Sequence, residues 1–166
     1  ISFLDIQNAG IADKSDEILF GNFTNFSIIK MAWFCIFDFY DEKGMMMTIV
    51  TDFLMAHDKR RIAIITLNRP DALNALNLEM VAAIQACLDK WAIDDSVAAV
   101  LLCGAADKAF CAGGDIRGLY HGYNPKIFPN PTAKAFFSTE YALCKQIKSY
   151  AKPIIVWADG IVMGGG

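Results

Sequence analysis

Two glycine-rich stretches carry the residue types that could do chemistry. One is Lys108-Ala109-Phe110-Cys111-Ala112-Gly113-Gly114-Asp115-Ile116-Arg117; the other is the last seven residues, Gly160-Ile161-Val162-Met163-Gly164-Gly165-Gly166. Each follows an apolar, strand-like run, Val97 to Cys103 and Pro153 to Ala158. Two such turns can aim two peptide N–H groups at one point, an arrangement that stabilises negative charge developing on a carbonyl oxygen. Glycine suits the task because it tolerates positive φ and lets a ligand approach the main chain without a Cβ in the way. Taken alone, each stretch reads better as an ordinary turn or a flexible end, since turn glycines are common. Cys111 sits inside the first turn, but a nucleophilic cysteine wants a base beside it to form the thiolate, and the sequence offers no evident partner.

The elements that must position these turns follow from patterning. Thr48 to Ala56 and Arg61 to Leu67 are β-branched and apolar runs separated by His57-Asp58-Lys59-Arg60, which reads as a hairpin. Asn68-Arg69-Pro70-Asp71 then breaks the strand, because proline fixes φ and restricts the residue before it. Asn77 is placed to cap a helix from Leu78 to about Ile93, with Val81, Ile84, Leu88 and Trp91 on one stripe facing a core. Val97 to Cys103 is a continuous apolar run of the kind found in strands covered on both faces. Asp115 can cap a short helix from Ile116 to Tyr120, and the loop Gly122 to Pro131 with its three prolines reads as a substrate wall or a surface connection. Thr132 opens a second long helix, Ala133 to about Tyr150, with Phe136, Phe137, Tyr141, Cys144 and Ile147 expected inward. Glu140 lies among them, although a helical Glu is ordinarily a solvated charge. Lys152-Pro153 ends that helix and starts the strand Ile154 to Trp157. Strands alternating with helices argue for an α/β fold, and no internal repeat is visible by eye.

At 166 residues the chain is long enough for one domain with a sizeable core. A net charge of −3 argues against a nucleic-acid partner held by phosphate neutralisation. No stretch reaches the ~18 apolar residues of a membrane-spanning helix. Five cysteines, Cys35, Cys87, Cys103, Cys111 and Cys144, stand at irregular spacings beside only His57 and His121, so neither a zinc pattern nor a disulfide framework emerges; buried free thiols in a reducing compartment are expected. The glycine sites lack the Gly-x-Gly-x-x-Gly of a dinucleotide binder. Residues 1–47 differ from the rest and are expected to be non-native or poorly ordered. They carry seven of the twelve phenylalanines, and Met45-Met46-Met47 could mark a natural start. Neither a signal peptide nor an anionic-lipid anchor fits the run Met31 to Phe37, which has only Lys30 directly before it and Asp38, Asp41 and Glu42 after it.

The run Ile65 to Pro70, Asn74-Ala75-Leu76, Ala109 to Asp115, Lys152-Pro153 to Gly160, and Met163 to Gly166 resembles the crotonase (enoyl-CoA hydratase/isomerase) superfamily in order and spacing, over about Ile49 to Gly166. Within it, Gly113 to Arg117, Phe136-Phe137-x-x-Glu140-Tyr141 and Gly160 to Gly166 are most similar to the 3-hydroxyisobutyryl-CoA hydrolases. The resemblance implies a spiral of ββα units for residues 48–166, truncated before its C-terminal part. It implies an acyl-CoA substrate of valine degradation and an oxyanion hole made by the backbone N–H groups of Gly114 and Gly165. Gly165 would also sit where a helix begins. Gly113, Asp115 and Glu140 join Gly165 in holding the substrate, with Glu140 lining the acyl pocket. No cofactor is implied beyond the coenzyme A of the substrate, no metal, and a trimer-type homo-oligomer. The setting would be bacterial cytoplasm or mitochondrial matrix. Enoyl-CoA hydratases share the same turns, and a catalytically inert crotonase-like fragment is the remaining alternative. The family's catalytic carboxylates fall beyond Gly166, so the chain as given is expected to bind poorly and not to turn over; hydrolysis by the 166-residue chain would overturn this. Arg117, Lys59, Arg60 and Arg69 are available to coenzyme A phosphates, though each by itself reads as a solvated surface charge.

Overall fold

The computed structural model describes residues 47–56 and 58–166. The expectations for the N-terminal segment, including the aromatic run at 31–37, Cys35 and the start at 45–47, rest on residues that lie, Met47 apart, outside the described ones, as does His57. The hairpin forms as expected: β1 (Ile49–Met55) pairs antiparallel with β2 (Arg61–Leu67), Ile49 opposite Leu67 and Met55 opposite Arg61. Its turn is closed by Ala56 N–H to Arg60 O at 2.7 Å, with Lys59 at φ 67°. From Ala63 to Leu67 every residue of β2 is buried, as a strand covered on both faces requires.

A single 3₁₀ turn (Pro70–Ala72) follows, and then α1 (Leu78–Ala92). The Asn77 side chain accepts the Met80 N–H at 2.8 Å, so one of the helix's orphan donors is satisfied at its first turn. Met80, Val81, Ile84, Leu88 and Trp91 are buried, which is the expected stripe with Met80 added. The far end of α1 is closed by Lys152, whose Nζ donates to Trp91 O and Asp94 O at 2.5 and 2.6 Å; a cation there also complements the helix dipole.

β3 (Val97–Gly104), β4 (Ala109–Cys111), α2 (Ile116–His121), α3 (Pro131–Lys148), β5 (Ile154–Trp157) and β6 (Ile161–Val162) complete the order. The main sheet runs β1-β2-β3-β5, with β2, β3 and β5 parallel, and β4 pairs parallel with β6 in a second, two-stranded sheet. The repeat invisible in the sequence shows here. β3 then β4 is echoed by β5 then β6, first strand beside first strand and second beside second. β2 followed by Leu76, which bridges to Gly114 in parallel, supplies an earlier turn of the same pattern. The core lies where α1 and α3 meet the sheet, around Ile65, Leu67, Met80, Leu88, Val100, Phe110, Phe136 and Leu143.

Helix α3 departs from expectation at its start and on its faces. Asn130, not Thr132, is the cap: its Oδ1 accepts the N–H groups of Thr132 and Ala133, and Pro131 occupies the first helical position, where no donor is missed. Phe136, Glu140 and Leu143 point inward, whereas Phe137, Tyr141, Cys144 and Ile147 are exposed, with Phe137 stacked on Tyr141 at 6.1 Å. Two apolar stripes run down this helix, and packing against α1 selects the one that sequence periodicity did not favour.

Candidate functional site

Both glycine turns leave from neighbouring parallel strands. Ala109 pairs with Ile161 and Cys111 with Val162; Ile161 N–H donates to Lys108 O and Met163 N–H to Cys111 O, each at 3.0 Å. Gly114 lies three residues beyond Cys111 and Gly165 three beyond Val162, so the two occupy equivalent places after strands that a parallel ladder holds about 4.8 Å apart. The turns touch through main chain. Gly113 has φ +87°, and a Cβ there would come within 2.8 Å of Met163 O, so only glycine serves.

The direction of the Gly114 N–H follows from its bridge to Leu76. Leu76 N–H donates to Gly113 O and Asp115 N–H donates to Leu76 O, both at 2.8 Å. In a parallel bridge these flanking bonds consume the groups facing the partner and leave the central residue's own N–H on the other side. Among the described residues no acceptor meets the N–H of Gly114 or of Gly165. At the glycine triplet Gly164 and Gly165 make a turn, with Gly166 N–H reaching Met163 O at 3.3 Å.

Glu140 comes to the site from α3. It is only 7% exposed, and a Cβ built on Gly165 would lie 2.8 Å from its Oε1, one built on Gly114 4.0 Å. No hydrogen-bond donor among the described residues meets its carboxylate. The carboxylate oxygens border both glycine turns and are suited to accept a hydrogen bond from a bound molecule. Cys111 lies under both turns, its Sγ against the place where a Gly166 Cβ would be. Burial pushes the Cys111 thiol up, and the nearby Glu140 charge pushes the same way, against the smaller opposite effect of the Gly113 and Leu76 main chain. The thiolate is disfavoured, and the nucleophile idea falls with it.

Asp115 is committed inside the chain. Its Oδ1 accepts the Gly118 N–H at 2.9 Å, the expected cap of α2, and its Oδ2 takes Arg69 Nη2 at 2.9 Å. The Gly118 N–H, followed by Arg69, holds its carboxyl below the usual carboxylate range against the opposing effect of burial. Its observed contacts thus shape the turn. Arg69 is correspondingly not the solvated cation expected: Nη1 also donates to Ala75 O at 2.6 Å. Arg60 is held by Asp58 at 2.6 Å, while Lys59 and Arg117 are exposed. Asn74, which patterning did not single out as polar and buried, accepts from Arg69 N–H and donates to Ala105 O and Ala109 O, each at 2.9 Å. Beyond the contacts of Arg69 with Asn74 and Ala75, the partners that bury these two residues, Asp115, Ala105 and Ala109, stand 31 to 46 residues away, so the sequence does not mark them.

A pocket of about 370 Å³ opens beside these contacts, lined by Asn74, Asp71, Asp107, Lys108 and neighbouring apolar residues. Two aspartates against one lysine suit an uncharged group better than a phosphate. Of the thiols expected to be buried, Cys111 is, Cys87 and Cys103 are half-buried, and Cys144 is exposed. Among the described residues no cluster of His, Cys, Asp or Glu is grouped to hold a metal ion, and no helix is long and apolar enough to cross a membrane.

Comparison with known proteins bears on the site as a whole. The family described as enoyl-CoA hydratase/isomerase matches residues 62–166. The chain is 44% identical over 106 residues to the mitochondrial 3-hydroxyisobutyryl-CoA hydrolase of Danio rerio, covering 64% of this chain and 27% of that protein. It is 40% identical over 119 residues to the Homo sapiens protein of the same name, covering 72% and 30%. A carnitinyl-CoA dehydratase from Mycobacterium thermoresistibile superposes with a TM-score of 0.63 at 39% identity, over 71% of this chain and 32% of that one. The chain thus spans about a quarter to a third of the length of the proteins it matches.

Proposed function

Because the chain belongs to the enoyl-CoA hydratase/isomerase family and has a crotonase-like fold, we propose that it forms the thioester-binding part of an acyl-CoA hydrolase resembling 3-hydroxyisobutyryl-CoA hydrolase, acting in valine breakdown. The observation that carries this is the placement of Gly114 and Gly165 at equivalent positions after adjacent parallel strands, with the buried Glu140 carboxylate against both. The thioester carbonyl oxygen takes the two peptide N–H groups, which have no other acceptor among the described residues. When water adds to the carbonyl carbon, the negative charge that develops on that oxygen meets donors already in place. The C–S bond then breaks, giving the free acid and coenzyme A thiol. Gly113 keeps the turns in contact, and Glu140 accepts a hydrogen bond from the acyl portion. Asp115 belongs to this site by holding its turn.

No cofactor beyond the substrate's own coenzyme A enters the scheme. The protein works as a trimer-type homo-oligomer, in the mitochondrial matrix if eukaryotic and in the cytoplasm if bacterial; the names of the curated relatives, which place them in the mitochondrion, support the first setting. Release of free thiol from 3-hydroxyisobutyryl-CoA by the protein that carries this chain tests the reading, and Gly114→Pro, which deletes one donor, should lower that rate by about 10²–10³. A wild-type rate in the variant would remove Gly114 from the mechanism. The likeness to a carnitinyl-CoA dehydratase favours a second reading, hydration of an enoyl-CoA. Loss of enoyl absorbance from crotonyl-CoA without thiol release would select it.

A further inference from the structure

Two main-chain bonds flank Gly114, Leu76 N–H to Gly113 O and Asp115 N–H to Leu76 O, and together they fix the peptide planes on either side of it. A side-chain clamp lies across the same bridge. From the end of β2, the Arg69 guanidinium donates Nη1 to Ala75 O at 2.6 Å, on the Leu76 side, and Nη2 to Asp115 Oδ2 at 2.9 Å, on the Gly114 side. Arginine's planar fork suits two acceptors held at fixed separation; a lysine ammonium has no such geometry. Both side chains are largely withdrawn from solvent, at 24% and 18% exposure, so water does not compete freely for the pair. Arg69 is itself fixed through its main chain, its N–H donating to Asn74 Oδ1 and its carbonyl accepting from Asn74 N–H, each at 2.9 Å. The ion pair thus ties a fixed backbone segment to the residue immediately after Gly114.

We infer that Arg69, acting through Asp115, is the positioning residue that holds the Gly114 N–H in the direction its bridge to Leu76 gives it. A preorganised donor stabilises developing charge only while it is held in place, and a few tenths of an ångström of play weaken it. The link to catalysis rests on the oxyanion role proposed above; the positioning itself does not.

The experiment is ¹⁵N relaxation on the 166-residue chain, comparing the Gly114 amide in the wild type, Arg69→Gln and Asp115→Asn. The second variant keeps an oxygen for the Gly118 N–H and removes only the charge that Arg69 holds. The wild-type order parameter is expected near 0.85, falling below about 0.6 in both variants, while Gly104 stays rigid. Arg69→Lys, which keeps the charge without the fork, should not restore the wild-type value. An unchanged Gly114 amide in both variants overturns the inference. So does global unfolding of both, since that would make Arg69 a support of the whole core. Acetyl-CoA added to the protein that carries this chain, followed at the same Gly114 amide, separates the two ideas. A rigid Gly114 amide whose resonance does not move sinks the oxyanion reading and leaves the positioning intact, whereas a moving resonance with no loosening in the variants does the reverse.

Discussion

At the scale of single residues, the site separates glycines needed for the backbone from glycines needed for space. Gly113 combines φ +87° with a main-chain oxygen 2.8 Å from where a Cβ would be, so Gly113→Ala should cost about 1–3 kcal/mol in strain and spread the two turns, read by urea denaturation. At Gly165 the obstructing atom is Glu140 Oε1, the end of a side chain. Gly165→Ala should therefore move the melting temperature little while displacing that carboxylate and weakening acyl-CoA binding, measured by calorimetry. Asp115 gives a pH prediction. A carboxyl whose folded value is depressed adds stability above its ordinary range and loses it as pH falls through the folded value, so its contribution should fade below about pH 4. Asp115→Asn should lower stability at neutral pH and flatten the acid limb of the stability curve. A variant as stable as wild type at pH 7 would show that the ion pair contributes nothing.

Among the elements, what the sequence discloses depends on how local its cause is. α1 was legible because its cap, Asn77, and its stripe of Val81, Ile84, Leu88 and Trp91 lie within one segment. Asn77→Ala should cost about 1 kcal/mol, read from the midpoint of chemical denaturation. The hairpin and the cap of α2 by Asp115 were legible for the same reason. α3 was misread because adjacent aromatics, Phe136 and Phe137, seed two stripes, and only the surface of α1 decides between them. β4 and β6, three and two residues long, are too short to leave a periodic signature and form only because they pair with each other. Glu140 was placed at the site by family likeness, since nothing in its immediate neighbours separates a buried helical glutamate from a solvated one. Arg69 reads from sequence as a solvated cation, because its partner Asp115 is one that only folding brings near.

For the molecule as a whole, the last elements leave an apolar surface. Trp157, Ile161, Val162 and Met163 are each around half exposed, on and after strands at the open side of both sheets. Contiguous apolar surface at a sheet edge promotes association, so the 166-residue chain should sediment with rising mass as concentration increases, and Val162→Lys should reduce that rise. A monomer at all concentrations would count against it. The echo of β3-β4 in β5-β6 has a further consequence. The spacing of the two amides is a lattice spacing, fixed by strand neighbourhood and indifferent to how much chain travels between them. Lengthening the loop at Tyr123 to Phe128, or grafting a foreign peptide there, should leave the two amides in step, so that this stretch of surface can be remodelled without changing their spacing.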